Sequence, residues 1–154
     1  MQSPDEYIDA EPGTADGLQC IRDVAQRFRA ALEQAGPFSL AGLRQFPAGA
    51  CGDTCRLLAE YMHRSGLGEF AIVTGWRRPQ MITHAWLTRD GVIVDITADQ
   101  FAEVDDAVIV GRTSPWHSTW CAEPPNWDNV GLTYYAEWTG SASDFSRIVA
   151  IADR

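Results

Sequence analysis

The hydrophobic period of this chain changes once, and that change constrains what it can fold into more than any other feature. Up to about residue 65 apolar side chains recur at three- and four-residue steps. From Phe70 onward they alternate or run in short β-branched blocks. Leu18, Ile21, Ala25, Phe28 and Leu32 form one stripe of an amphipathic helix from about Asp16 to Gln34. Thr14 or Asp16 would cap it and Gly36-Pro37 would stop it. Leu57, Leu58, Tyr61 and Met62 make the buried face of a second helix, from Asp53 or Thr54 to Arg64, ended by Ser65-Gly66-Leu67-Gly68. Between the two, residues 37–52 are rich in glycine and proline and read as a loop with one short turn.

The second half reads as a sheet. Phe70-Ala71-Ile72-Val73 and Met81 to Leu87 are the first two strands, and Arg89-Asp90-Gly91 signals a tight hairpin into Val92-Ile93-Val94-Asp95-Ile96. Ala107 to Val110 is a fourth strand, Leu132 to Tyr135 an edge strand, and a helix from about Asp144 to Ala152 closes the chain. Residues 1–13 are acidic, with Pro4, Pro12 and Gly13, and read as a loose arm. There is no repeat and no dividing linker in the 154 residues, so the expectation is one α+β domain with N-terminal helices packed on an antiparallel sheet.

Charge narrows the function classes. With 21 carboxylates against 12 basic residues the formal net charge is -9, the wrong sign for nonspecific nucleic-acid or anionic-membrane binding. Every basic residue apart from the three histidines is an arginine. Without lysine there is no Schiff base, no pyridoxal-phosphate anchor and no Walker-type phosphate loop. No apolar run reaches the 18 residues of a membrane span. Cys20, Cys51, Cys55 and Cys121 follow a polar start, so the expectation is free thiols in a reducing cytoplasm, with export as an effector lacking a cleaved signal as the alternative.

One of those thiols stands apart. Gly49-Ala50-Cys51-Gly52-Asp53-Thr54 sets Cys51 in a glycine-flanked turn just ahead of a helix, where unpaired N–H groups and the helix dipole favour a thiolate and can hold an oxyanion. Cys55, one turn on among Leu58 and Ala59, reads as structural, and Cys20 as ordinary packing. The hairpin then supplies a base. If Asp90-Gly91 is a two-residue turn, His84 faces Thr97 with Asp95 one step diagonal; if the loop is two residues longer, His84 faces Asp95 directly. Either register puts imidazole and carboxylate on one face. Asp95 also interrupts a run that should be buried, where a lone carboxylate is costly, and His84 is the partner it needs.

Gly-Ala-Cys51 leading a helix, His84-Ala85-Trp86 on a strand and Val94-Asp95-Ile96-Thr97 on the next resemble the core of the transglutaminase-like branch of the papain-like cysteine peptidase superfamily. The resemblance covers roughly residues 43–101. It implies a papain-like, transglutaminase-like core with Cys51 as nucleophile, His84 as general base and acid, and Asp95 as the orienting residue. It further implies hydrolysis or transfer at an amide or peptide bond through a thioester, without metal or cofactor. Gln45 has the six-residue spacing of the papain-like oxyanion glutamine, although Phe46-Pro47 intervenes and the transglutaminase-like branch does not generally keep that residue.

Candidate substrate contacts are Trp76 and Gln80 in the loop before the His84 strand, Trp86 on that strand, and Trp116 in the Pro-rich segment. Gln100-Phe101 would anchor the chain under the site, and His117 reads as a surface or structural residue. Three competing readings remain on the sequence. A zinc site lacks the Cys-x-x-Cys or His-x-Glu spacing. A toxin-like protein glutamine deamidase or transglutaminase would use the same triad. A non-catalytic protein-binding module would have no reason to activate Cys51.

Overall fold

The computed structural model describes residues 14–135 and 139–154; the expected N-terminal arm lies outside them. Helix α1 spans Ala15–Ala35, and its cap is Thr14, whose hydroxyl accepts the Gly17 N–H at 3.0 Å. A 3-10 turn at Ala41–Leu43 occupies the connecting loop. Helix α2 runs Cys51–Arg64, two residues earlier than its apolar pattern suggests, so Cys51 is its first residue rather than a residue of the preceding turn. Among the described residues no side chain caps this N terminus.

Five strands follow in an antiparallel sheet of order β4-β3-β2-β1-β5: β1 Ala71–Arg77, β2 Ile82–Arg89, β3 Val92–Asp95, β4 Ile109–Gly111 and β5 Cys121–Ala122. Helix α3, Thr139–Ala152, packs against α1. The β2–β3 hairpin is the two-residue form, with Arg89 opposite Val92 and both Asp90 and Gly91 at positive φ. That turn fixes the register and therefore the facing of every residue on both strands.

The sheet has two different faces. Ile72, Ala85, Leu87, Val92, Val94 and Val110 join Phe28, Leu32, Leu57, Met62, Phe145 and Ile148 in an aliphatic core under the helices. The other face carries Val73, Trp86 and Trp120, with Ile93, Phe101 and Trp116 against them. Gly75 makes this second layer possible: a Cβ there would lie 2.8 Å from both Trp120 and Trp86.

Two expectations are corrected at the ends of the sheet. Leu132–Tyr135 is a 3-10 turn, not an edge strand, because it is tied down onto α2. Glu60 accepts the Leu132 N–H at 3.0 Å, and Tyr135 donates its hydroxyl to Asp53. The edge is instead β5, paired to β1 through Trp76–Cys121 and Gly75–Ala122. The fourth strand begins at Ile109 rather than Ala107, whose carbonyl turns toward the Arg29 guanidinium at 3.4 Å. Buried Arg29 also holds Asp99 through two nitrogens, at 2.7 and 2.8 Å, and the Ile96 carbonyl at 2.7 Å. A bidentate clamp of this kind fixes geometry as well as adding energy, and it ties α1 to the chain leaving β3.

Candidate active site

The β2–β3 ladder ends at Leu87–Val94, and the two strands part beyond that pair. His84 lies in the gap. Its Nε2 is 2.7 Å from Asp95 Oδ2, with the imidazole 1% exposed and the aspartate 2% exposed. The shared face expected from the hairpin is therefore the shared face observed. Asp95 is satisfied on both oxygens, since Oδ1 accepts the Thr97 N–H at 2.9 Å.

Cys51 reaches the same imidazole from the N terminus of α2. Its sulfur shares a hydrogen bond with His84 and takes another from the Ala85 N–H, which β3 no longer opposes. Burial of the thiol works against ionisation, but the His84 hydrogen bond, the His84 charge and the Ala85 N–H together hold the Cys51 pKa below its ordinary value. His84 moves the opposite way. Burial again disfavours its charge, yet hydrogen bonds to Asp95 and Cys51 raise it to about 9. For Asp95 burial is the strongest single influence and opposes its charge, yet donors from His117 and His84 and the Thr97 N–H hold it at about 2. Cys55 is the contrast: burial pushes that thiol well above its usual value, so it is the inert one of the pair.

A wall of rings closes over the imidazole. Phe101, Trp116, Trp120 and Trp86 stand 5.2, 5.5, 5.6 and 5.9 Å from the His84 ring, centroid to centroid. Arg77 stacks outside them, 4.0 Å over Trp120, and is held by Glu103 at 2.8 Å and Thr119 at 2.7 Å. Next to this wall lies a cleft of about 820 Å³ lined by Trp76, Arg77, Arg78, Met81, Thr119 and Glu123 among others.

The sequence-derived residues are thus brought together unequally. Cys51, His84 and Asp95 form one hydrogen-bonded chain. Trp116 borders the imidazole and Trp76 lines the cleft, its indole N–H bonded to Glu123 at 2.8 Å. Gln80 is exposed in the β1–β2 turn. Trp86 is buried inside the ring cluster and offers no face to a substrate. Gln45 is exposed in the turns before α2 and makes no side-chain hydrogen bond to Cys51 or His84. The carboxamide at the site is Gln100 instead. It accepts the Gly49 N–H at 3.3 Å, donates to the Thr97 carbonyl at 2.9 Å, and sets Nε2 3.5 Å from His84 Nδ1, at the outer limit of hydrogen bonding.

His117 is the residue that sequence reasoning placed outside the site. It is 4% exposed, and its Nε2 lies 2.7 Å from the same Asp95 Oδ2 that His84 uses. The only available hint was its position among tryptophans in a long loop, which does not distinguish a buried imidazole from an exposed one. His84, Asp95 and His117 are also the group of metal-ligand type among the described residues, their ligand atoms within 4.8 Å of one another. Donor atoms around a tetrahedral ion with bonds of about 2.0–2.2 Å would stand roughly 3.3 Å apart. Two nitrogens at 2.7 Å from one oxygen have the spacing of two N–H···O bonds. No family model matches the chain, and no curated protein or solved structure matches it either.

Proposed function

We propose that this chain is a thiol-dependent acyl-transfer enzyme with a papain-like, transglutaminase-like core, acting on an amide or peptide bond through Cys51, His84 and Asp95. The observation that carries the reading is the continuous hydrogen-bonded path from a thiol at an uncapped helix N terminus, through a buried imidazole, to a buried carboxylate. The opposed pKa shifts of Cys51, lowered, and His84, raised, both favour a thiolate–imidazolium pair over the neutral pair.

In the reaction, the Cys51 thiolate adds to the carbonyl carbon and the electron pair moves to oxygen. N–H groups of the uncapped first turn of α2, that of Cys51 included, would hold the oxyanion. As the C–N bond breaks, His84 passes its proton to the leaving nitrogen, giving a thioester and a free amine or ammonia. Water then attacks the thioester while His84 takes its proton, and the C–S bond breaks to release a carboxylic acid and restore the thiolate–imidazolium pair. An amine in place of water would give transamidation by the same steps. Asp95 keeps the His84 ring in one tautomer, with Nε2 donating, and stabilises its charge. The surrounding rings exclude water from the imidazole and strengthen both interactions. Substrate flanking the scissile bond would lie along Trp116 and into the cleft beside Trp76, within reach of Gln80 in the exposed β1–β2 turn.

The test is brief labelling with limiting iodoacetamide across pH 5–8, read by peptide mass mapping, on the wild type and His84→Ala. Cys51 should label before Cys20, Cys55 and Cys121, with a low midpoint that His84→Ala removes. Equal labelling of Cys51 and the exposed Cys121, unchanged in the variant, would replace this reading with a binding module. Glutamine amides and short peptides are the substrates to screen after a positive result.

A further inference from the structure

Asp95 serves two imidazoles, and only one of them touches a thiol. His84 Nε2 and His117 Nε2 each lie 2.7 Å from Oδ2. The second ring is itself fixed. Ser114 Oγ lies 2.6 Å from His117 Nδ1 and also accepts the His117 backbone N–H at 3.3 Å. The Asp95 carboxylate can only accept, so Nε2 carries the ring hydrogen, and in the neutral ring Nδ1 is then the acceptor to which the Ser114 hydroxyl donates. We propose that His117, held by Ser114, is a positioning residue for the Cys51–His84 pair: its Nε2–H pins Asp95 Oδ2 on the line of His84 Nε2. This inference rests on the catalytic reading of Cys51 and His84 given above.

The need for such a brace follows from the local construction. Asp95 is the last residue of β3; its backbone pairs with Ile109 of β4, but on the β2 side the ladder has already ended at Leu87–Val94, so only side-chain contacts aim its carboxylate at His84. The Thr97 N–H fixes Oδ1 but leaves the carboxylate free to swing about that contact. His117 sits in a 3-10 turn at His117–Thr119, locked from the other side by rings: Trp86 and Trp116 each stand 4.9 Å from it. Among the described residues, the titratable and charged groups facing Asp95 are His84 from β2, Cys51 and Cys55 from α2, and His117 from this turn. Beyond the rings, Arg77 and Glu103 pair with each other.

Removing a donor has two opposite consequences, and the sign of the shift separates them. Loss of a hydrogen bond alone leaves Asp95 more basic, strengthens its hold on the His84 imidazolium and lowers the Cys51 midpoint. Loss of position lets Oδ2 leave His84 and raises the midpoint. His117→Leu is therefore compared with wild type in the iodoacetamide pH profile of Cys51, using Cys121 as the internal reference thiol. The expected result is a rise of about one pH unit, or roughly tenfold slower labelling on the acid side, the size of one lost charge-assisted hydrogen bond. His117→Gln, which keeps a donor on a flexible stem, should recover most of that loss. Ser114→Ala should shift the profile in the same direction by less.

A merely structural role would lower Tm and leave the profile of the folded protein where it was. An unchanged or a lowered midpoint in folded His117→Leu overturns the proposal. Should that variant fail to fold, an unmoved profile in Ser114→Ala overturns it instead. A wild-type Cys51 no more reactive than Cys121 is a different failure, one that removes the catalytic reading itself.

Discussion

The two faces of one sheet solve opposite problems. Under the helices, Phe28, Leu57, Leu87, Val94 and Ile148 fill an aliphatic interior with essentially no exposed surface. On the other face, strands β2 and β3 turn His84 and Asp95 into an equally buried layer of polar groups and large rings. The five side chains under the helices lose nothing by burial, since they have no polar atoms to satisfy. The second face must satisfy each buried nitrogen and oxygen, and the triad does so through His84, Asp95, Thr97, Ser114 and His117. The layer is not perfect: among the described residues the buried Trp120 indole nitrogen finds no hydrogen-bond partner. Alternation along one hairpin thus builds an apolar face and a polar, ring-lined face from alternate residues, each strand contributing to both.

The two faces should respond oppositely to substitution. Cys51→Ser should abolish acyl transfer, by about 10⁴-fold or more, since a hydroxyl at this helix start lacks the thiolate on which the pair depends. Its Tm should move little, and chemical denaturation alongside the kinetic assay checks both halves. Phe28→Ala should do the reverse. It lies at 0% exposure in the aliphatic face, so truncation should cost about 3–5 kcal/mol of unfolding free energy. The folded fraction should still show the wild-type pH profile of Cys51 labelling; a shifted profile would mean the two faces are not separable.

The polar face should also make its own contribution to acid stability. Asp95 falls from 3.8 to about 2 on folding, so the unfolded chain takes up its proton first. The stabilisation is present above pH 3.8 and is lost as pH falls through about 2, amounting to roughly 2 kcal/mol. Urea unfolding between pH 5 and pH 2 should show this slope in the wild type and lose it in Asp95→Asn. The smallest effect concerns the cleft. Trp76→Ala should raise KM several-fold at nearly constant kcat, a change of about 1 kcal/mol in uniform binding, because the ring lines the cleft without touching Cys51 or His84. A fall in kcat instead would move Trp76 into the reacting geometry.

What the sequence made legible follows from how local each feature is. The hairpin was readable because Asp90-Gly91 meets the positive-φ demand of a two-residue turn, and parity then placed His84 and Asp95 together whichever register held. Helix α1 was readable from its stripe and its Thr14 cap. Cys51 was readable as a helix-start thiol, although the helix begins on it rather than after it. Strand β5 was not, since two residues carry no alternation and its pairing with β1 is wholly long-range. Leu132–Tyr135 has the composition of a strand, but Glu60 and Asp53 on α2 capture it as a turn. Gln45 had the right spacing in sequence and the wrong place in space, whereas Gln100 arrived at the site through the Arg29–Asp99 clamp that shapes its turn.

The ring wall around His84 makes the site self-reporting in light. Three of the six tryptophans, Trp86, Trp116 and Trp120, stand within 5.9 Å of the imidazole, centroid to centroid. An imidazolium accepts an electron from an excited indole far more readily than a neutral imidazole does. Intrinsic emission should therefore brighten as His84 gives up its proton near pH 9, and a chemist could follow the charge state of the base with no label attached.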